Sequence, residues 1–243
     1  MRPLLLSLAL AGIAAHAQPA QPLPAFEVAS VKPSDAGPRP RALNVRYSPA
    51  SLIMRGASLK AAIQWAWHVF PSQVSAPGWL DSESFDIDAR PSAPVSEDQA
   101  RLMLRRLLAD RFQLAVHLEQ KEMPAYVITV AKDGPKLKEL SGDATPDMVS
   151  GRGAAQIGGS IAQMIDRMAF ASVFPYPLVD QTGLKGRYDV NLDLRDMQSA
   201  APEDQLNVLL RAVQDQVGLK IELKKTPLDV VVVDHMEKSP TAN

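Results

Sequence analysis

The chain has 243 residues, of which 46% are hydrophobic and 22% are charged, and its formal net charge is −1. This length suits one large domain or two small ones with a real hydrophobic core, and the composition argues against general disorder. The small net charge and the scattered basic residues give no electrostatic footprint for nucleic acid or an anionic membrane, so a nucleic-acid-binding function is disfavoured.

The N-terminus has the form of a secretory signal peptide. Arg2 gives a short positive start, residues 4–14 are nearly all apolar, and Ala-His-Ala at 15–17 fits a cleavage site before Gln18. The apolar run is too short to span a bilayer comfortably, and no later run reaches the ~20 residues of a transmembrane helix. We expect an exported chain, periplasmic or secreted, with no transmembrane segment after signal removal. The alternative is an uncleaved anchor helix.

The chain contains no cysteine. An exported protein without disulfides must be stabilised by its core alone. Thiol catalysis, thiolate metal sites and a lipid-bearing N-terminal cysteine are excluded as well.

Hydrophobic periodicity orders the elements of the first half after a Pro-rich tether over 18–24. A helix begins at the N-cap Ser58 and ends at Pro71, and a clearer one begins with the capping box Ser96–Gln99. Pro124 is interpreted as a hairpin turn between two strands. The predicted strands lie over 26–31, 43–47, 52–54, 85–89, 114–118 and 126–130. The buried stripe of the second helix is predicted to be Ala100, Met103, Leu104, Leu107, Leu108 and Phe112.

The second half begins with a Gly-, Ala- and Ser-rich stretch, Gly142–Gly159, which we expect to be mobile or weakly paired. A helix then begins at Ser160, and a later helix is predicted to carry Pro202 in its first turn and Gly218 as its C-terminal cap. Strands are predicted over 188–192, 219–223 and 230–233, with a hairpin between the last two. The run 230–233 is apolar on both faces, which is typical of a central strand.

The two halves share an ordered set of motifs, which indicates duplication. The matched segments are Ser58-Leu59 with Ser160-Ile161, Phe85-Asp86-Ile87-Asp88 with Tyr188-Asp189-Val190-Asn191, Glu97-Asp98-Gln99 with Glu203-Asp204-Gln205, and Pro124 with Pro227. The predicted fold is α+β, with two pseudo-repeated strand-helix-strand-helix-hairpin units packed as one compact domain. The predicted boundaries are a signal peptide (1–17), a tether (18–24), a first unit (25–135), a linker (136–157), a second unit (158–238) and a tail (239–243).

Known catalytic and cofactor motifs are missing from the sequence. His68, His117 and His235 are isolated, which is not the close spacing of metal ligands. No Gly-x-Ser-x-Gly, Ser-x-x-Lys or Gly-x-Gly-x-x-Gly pattern occurs, so no catalytic residue, metal or cofactor is predicted. The carboxylate pairs are Asp81 with Glu83, Asp86 with Asp88, and Asp229 with Asp234. Asp86 and Asp88 share a strand face, for which a solvated face of a half-buried strand is the leading explanation.

The segment 179–189 is the densest in special residues. Asp180 and Thr182 can each accept a bond from a nearby backbone N–H, and Gly183 and Gly186 can supply a positive φ. We expect an ordered turn leading into a strand. Arg187, with the aromatic residue after it, offers a charge and a ring to a partner.

Four motifs carry a resemblance over essentially the whole mature chain. They are Phe26–Pro33, Gly78–Asp81 with Phe85-Asp86-Ile87, the Asp-x-Thr-Gly-Leu-x-Gly-x-Tyr-Asp turn at 180–189, and Val233–Lys238. Together they resemble the soil-associated family of exported bacterial proteins built on a domain of unknown function. In some relatives a similar domain is joined to a membrane metallopeptidase of the β-lactam-sensor type, which implies sensing or binding. This chain carries no such membrane segment or zinc motif, and the resemblance implies no catalytic residue.

One local departure from that family is the stiff approach Phe174-Pro175-Tyr176-Pro177 before the turn. The second unit, over 186–233, also resembles the small N-terminal modules of secretins and TonB-dependent receptors, which is a likeness of fold only.

The leading hypothesis is a non-enzymatic binding or interaction module of the cell envelope, whose partner is an envelope protein or polymer. The candidate binding residues are Trp79, Asp81, Asp180, Thr182, Arg187 and Tyr188, although a core role for Trp79 is the alternative. Two further hypotheses stay open. One is a hydrolase of envelope polymers that uses the pair Asp86 and Asp88, and the other is a structural component that pairs its strand edges with a partner.

Overall fold

A computed structural model describes residues 23–35, 45–140, 149–151, 153–169 and 174–241. The predicted signal peptide and most of the tether lie outside these ranges. Within them the chain is mixed α and β, with six α-helices and three four-stranded sheets. None of the described helices is long and apolar enough to cross a membrane.

The first sheet and its helices come from the N-terminal half. The strands are β1 (Val28–Pro33), β2 (Val45–Ser48), β3 (Ser51–Ser58) and β5 (Ser84–Arg90). They form an antiparallel sheet in the order β1-β5-β3-β2. The helices are α1 (Leu59–Trp67), the short α2 (Trp79–Ser82) and α3 (Glu97–Phe112).

A second antiparallel sheet is built later in the chain. Its strands are β7 (Lys138–Glu139), β8 (Val149–Gly151), β9 (Ala154–Ser160) and β11 (Arg187–Asp193), in the order β7-β11-β9-β8. The helices are α4 (Ile161–Ala169), α5 (Arg195–Ser199) and α6 (Gln205–Ala212), which continues into a π-helical turn, Val213–Val217.

The third sheet connects the other two. Its strands are β4 (Val74–Ser75), β6 (Ala115–Val130), β10 (Leu178–Asp180) and β12 (Leu219–His235), in the order β10-β6-β12-β4. The long strands β6 and β12 pair antiparallel along almost their whole length and are called the ribbon below. The short strands β10 and β4 add to its two outer edges in parallel.

The predicted hairpins at Pro124 and Pro227 are wrong, because both prolines lie inside the long strands. The Tyr126 N–H donates to the Pro177 carbonyl, away from β12, so alternate residues of β6 direct their backbone groups to the outer edge. Pro124 lies two residues before Tyr126, so the N–H that it lacks would have pointed outward, where no ladder bond is lost. Pro227 pairs with Glu122 and holds the same position on β12.

Several local predictions are confirmed. The Ser58 side chain accepts from the Ala61 N–H, and Ser96 and Gln99 form the reciprocal capping box. The predicted stripe of α3 is buried, and Gly218 is a left-handed C-terminal cap with φ 71°.

Two local predictions are wrong. The last long helix begins at Gln205, with Asp204 as N-cap, so Pro202 lies before it. The expectation of weak pairing fails over Ala154–Gly159, where every residue pairs with β11. Residues 141–148 and 152 lie outside the described ranges.

The described residues form two cores. The first core contains the buried apolar residues between Val31 and Leu114, together with Val231 and Met236 near the C-terminus. The second core contains buried residues between Tyr126 and Ile221. The first core is therefore assembled from both ends of the chain.

The C-terminal residues are fixed to the first core by backbone bonds as well. The Glu237 N–H donates to the Phe112 carbonyl at 2.7 Å, and the Thr241 N–H donates to the Arg111 carbonyl at 2.8 Å. Met236 is buried between these two attachments and the end of β12. The segment after β12 thus closes the C-terminal end of α3.

Candidate functional site

The predicted binding residues Trp79 and Asp81 lie beside the first core. Trp79 is half-buried against that core, and the Lys238 Nζ lies 5.4 Å from the centroid of its ring. Asp81 is exposed and forms an ion pair of 3.1 Å with Lys60 on α1. Both side chains thus make contacts within the fold, which tie α2 to α1 and to the C-terminal segment.

The predicted turn after β10 is ordered by its own side chains. Asp180 Oδ1 accepts from the N–H and the hydroxyl of Thr182, at 2.8 and 2.7 Å. Thr182 Oγ1 accepts from the Leu184 N–H at 3.2 Å, and Gly183 has φ 69°. The expected local bonding is therefore confirmed.

Tyr188 and Arg187 follow this turn at the start of β11. Tyr188 is buried in the second core, and its hydroxyl accepts from the Gly186 N–H at 3.2 Å. The expected positive φ of Gly186 is wrong. A Cβ at Gly186 would lie 2.6 Å from the Tyr188 hydroxyl, so this glycine is needed for space. Arg187 is half-buried.

The six predicted binding residues therefore fall into two groups. Trp79 and Asp81 lie by the first core, whereas Asp180, Thr182, Arg187 and Tyr188 lie on the turn and strand of the second core.

The carboxylates Asp86 and Asp88 bind to the neighbouring strand. Asp86 Oδ1 accepts from the Gly56 N–H at 2.8 Å, where the register of β3 and β5 shifts. Asp88 Oδ1 lies 2.8 Å from Arg55 Nη2 and lines a shallow hollow of about 370 Å³. Because each carboxylate is bonded to β3, the pair stabilises the irregular pairing between the two central strands of this sheet.

A second hollow, of about 420 Å³, lies near the start of α5. Here Asp193 accepts hydrogen bonds from the Arg195 guanidinium, which lower the pKa of Asp193 to about 2. The Gln216 side-chain amide bonds to the backbone of Asp193. Its Oε1 accepts from the Asp193 N–H, and its Nε2 donates to the Asp193 carbonyl. Asp193 thus stays ionised until the pH falls through about 2, and the hollow is lined by groups that already bond each other.

Metal-ligating side chains are dispersed in the part of the chain that the structure describes, where no group of three or more could hold an ion. His117 Nδ1 lies 2.8 Å from Asp234 Oδ1, and His235 lies 3.2 Å from Glu237.

The centre of the ribbon is exposed between the two cores. We define the central ribbon as residues 118–124 of β6 and 223–229 of β12. Leu118 and Leu223 in this region are 58% and 53% exposed. No register shift occurs along β6 from Val116 to Val130, so alternate residues share one face throughout.

Both cores use that same face of the ribbon. Its core-facing residues are Val116, Tyr126, Ile128, Val130, Leu219, Ile221, Val231 and Val233. Leu118, Gln120 and Glu122 belong to the same alternating series on β6, and Leu223, the partner of Tyr126, belongs to it on β12. The core-facing surface thus continues as an open surface between the cores.

The outer edge of β6 carries backbone groups that point away from β12. The backbone groups of Tyr126 point to this edge, and those of every second residue along the strand do the same. The edge therefore carries the N–H and C=O groups of Leu118, Gln120 and Glu122, together with the Pro124 carbonyl. β10 covers the same edge only at residues 126–128. None of the described strands pairs with the edge at residues 118–124.

The outer edge of β12 is less available. Gln73 Nε2 donates to the Asp229 carbonyl at 3.0 Å, β4 pairs with Val231 and Val232, and Pro227 lacks an N–H. The longer row of donors therefore belongs to β6.

Charges differ between the two faces of the central ribbon. Glu119 and Lys121 form an ion pair of 2.9 Å on the face opposite the cores. Glu122, on the core-facing side, forms no ion pair with any described residue. The open edge of β6 is therefore flanked by an apolar residue, Leu118, and an uncompensated carboxylate.

This edge is not predicted from the sequence, because Pro124 and Pro227 are each typical of a hairpin turn. The available signal was the lack of any Gly, Asn or Asp beside Pro124 to form a tight hairpin.

Comparison with known proteins gives a family but no characterised relative. No curated protein and no solved structure matches the chain. Residues 60–236 match the model of a family described as "Protein of unknown function (DUF3738)", and this range includes the whole central ribbon. Because the match covers well over half of the sequence, the chain belongs to the DUF3738 family of proteins of unknown function.

Proposed function

We propose that the chain is a non-enzymatic interaction module, which binds an extended segment of a partner polypeptide as an added strand on the outer edge of β6. The observation that carries this proposal is the row of outward backbone groups at Leu118, Gln120 and Glu122, which no described strand covers. A strand edge of this kind is a template for β-augmentation, in which backbone hydrogen bonds provide much of the affinity.

The flanking strands support this assignment. β10 adds to the outer edge of β6 at residues 126–128, and β4 adds to the edge of β12 at residues 231–232. Each addition is only two or three residues long, so the ribbon already accepts short strands on both edges. The approach to β10 passes through Pro175 and Pro177, which cannot donate to the β6 carbonyls and so leave the edge free beyond Tyr126.

The hydrolase alternative has less support. A general acid and base need convergent carboxyl groups in a concave site, whereas Asp86 and Asp88 bond a backbone N–H and an arginine on the adjacent strand. The structural hypothesis of strand-edge pairing uses the same edge as the binding proposal, and we treat the two as one function.

We also propose that the module works outside the cytoplasm, in the periplasm or as a secreted protein. The support is the signal-peptide pattern before Gln18 and the absence of cysteine. N-terminal sequencing of the chain recovered from its native envelope or medium is expected to begin at Gln18. A chain that retains Met1 and is recovered from the cytoplasmic fraction would contradict this proposal.

We further infer that the two halves are pseudo-repeats. The support is that β3 and β9 each end at a serine that caps the following helix, Ser58 and Ser160. Sequences of other family members are expected to keep the paired spacing in both halves, and its loss in either half would contradict the repeat.

The binding proposal is tested by removing the backbone N–H of one residue on the open edge of β6. A second variant changes only the side chain of that residue. Gln120→Pro deletes an outward N–H at a position equivalent to Pro124, so the fold is expected to tolerate it. Gln120→Ala shortens the same side chain and keeps the N–H. Both variants would be checked by circular dichroism and thermal unfolding.

The probe is a display library of random twelve-residue peptides, selected on the mature chain. Selected peptides are expected to bind the parent and Gln120→Ala with similar affinity and to lose tenfold or more on Gln120→Pro, because a buried hydrogen bond partner is removed. In hydrogen exchange, a bound peptide should protect the amides of Leu118, Gln120 and Glu122. Equal binding to both folded variants, or no selected peptide at all, would contradict the proposal.

A further inference from the structure

The open edge of β6 has a chemical pattern of its own. Leu118, Gln120 and Glu122 occupy successive positions on the core-facing side, which gives the order apolar, polar, acidic. Leu118 is 58% exposed, and Glu122 has no ion-pair partner among the described residues. A strand paired at this edge places its own side chains directly opposite these three, about 5 Å away.

We propose that the partner segment carries a basic residue opposite Glu122 and an apolar residue opposite Leu118. This inference rests on the proposed function, since it specifies the partner of the same edge. Antiparallel pairing is somewhat more stable per residue than parallel pairing, so the segment runs opposite to β6. Read from its N-terminus, the recognised pattern is basic-x-polar-x-apolar.

A second copy of this chain fits the edge poorly. Paired strands lie about 4.8 Å apart, so the ribbons of two copies would be separated by less than the width of one core. A folded unit of about 100 residues has a radius of gyration of about 13 Å, and each copy carries a core at either end of its ribbon. The occupant is therefore a slender extended segment, long enough to pair with residues 118–124 of β6.

The charge of the occupant follows from the local balance. The ion pair between Glu119 and Lys121 is internal to the opposite face. On the core-facing side β12 also carries Lys225 and Asp229, but a strand added at the outer edge of β6 lies one strand further from β12, so Glu122 is the charge nearest to it. Opposite charges across a strand pair stabilise it, and like charges directly opposite destabilise it.

The experiment compares two nine-residue peptides on the full mature chain. The first is Ser-Thr-Lys-Val-Thr-Val-Leu-Thr-Ser, and in the second the lysine is replaced by glutamate. At low ionic strength we expect the lysine peptide to bind three- to tenfold more tightly, with the ratio shrinking as salt is added. Fluorescence anisotropy of labelled peptides measures both affinities.

Two charge-reversal variants supply the matched comparison. Glu122→Lys is expected to invert the preference, so that the glutamate peptide binds more tightly. Glu119→Lys makes the same change of net charge on the opposite face and is expected to keep the lysine preference. If the preference depended only on the net charge of the protein, both variants would change the affinity ratio of the two peptides equally.

The outcomes separate this inference from the proposed function. Equal affinity of the two peptides, together with protection of the Leu118 and Gln120 amides, would overturn the charge pattern and leave strand addition standing. A preference of Glu119→Lys for the glutamate peptide would also overturn the charge pattern. A lack of binding by both peptides would overturn the pattern as well, while the library selection decides separately whether any segment binds at the edge.

Discussion

Replacement of Gly218 by alanine is expected to destabilise the protein by about 2–5 kcal/mol. Gly218 has φ 71°, a conformation that costs any side chain about 1–2 kcal/mol. An added Cβ would also overlap with the Gly134 carbonyl oxygen, which belongs to the backbone and cannot rotate away. The turn at 131–136 would have to move away from the start of β12, although the Gly218 carbonyl accepts from the Ala131 N–H.

Gly134→Ala is the matched control for this prediction. Gly134 has φ 80°, but nothing lies within 4 Å of the position its Cβ would take. Gly134→Ala is expected to lower the free energy of unfolding only by the cost of the left-handed conformation, about 1–2 kcal/mol. Urea unfolding of both variants measures the difference, and equal losses would show that the close approach of the two glycines does not matter.

Phe112→Ala is expected to cost about 3–5 kcal/mol of the free energy of unfolding. Phe112 is fully buried in the first core, and its ring meets Phe85 edge to face with centroids 5.0 Å apart. The side chain also lies at the end of α3, where the segment after β12 is attached. The substitution therefore opens a cavity where α3, β5 and the C-terminal segment converge.

Phe112→Leu keeps most of the apolar volume and is expected to cost about half as much or less. Both variants keep the bond from the Glu237 N–H to the backbone carbonyl of residue 112, so the difference between them reports on the ring. Thermal and urea unfolding measure it. A loss below about 1 kcal/mol for Phe112→Ala would contradict the packing described for the first core.

Local signals predicted much of the helical structure. Ser96 and Gln99 identify the start of α3 because both bonds of a capping box lie within four residues. The turn bonds of Asp180 and Thr182 were predictable for the same reason. The prediction for Pro202 failed because Pro202 and the two residues after it form a turn before α6 begins.

The long strands could not be predicted from local signals. A proline marks a turn or an outer strand edge, and only the pairing partner decides which. For Pro124 that partner is Lys225, about a hundred residues away in the sequence. The same limit applies to the candidate site, because the exposure of Leu118 and Glu122 depends on where the neighbouring strands end.

The discontinuity of the first core sets the order in which the chain can fold during synthesis. Residues 126–221 contain every buried member of the second core, so that core can close as soon as this stretch has emerged. The first core needs Val231 and Met236, which emerge almost last. The first core is therefore completed only when translation is nearly finished, and until then the apolar side chains that Val231 and Met236 cover are exposed to a holding chaperone.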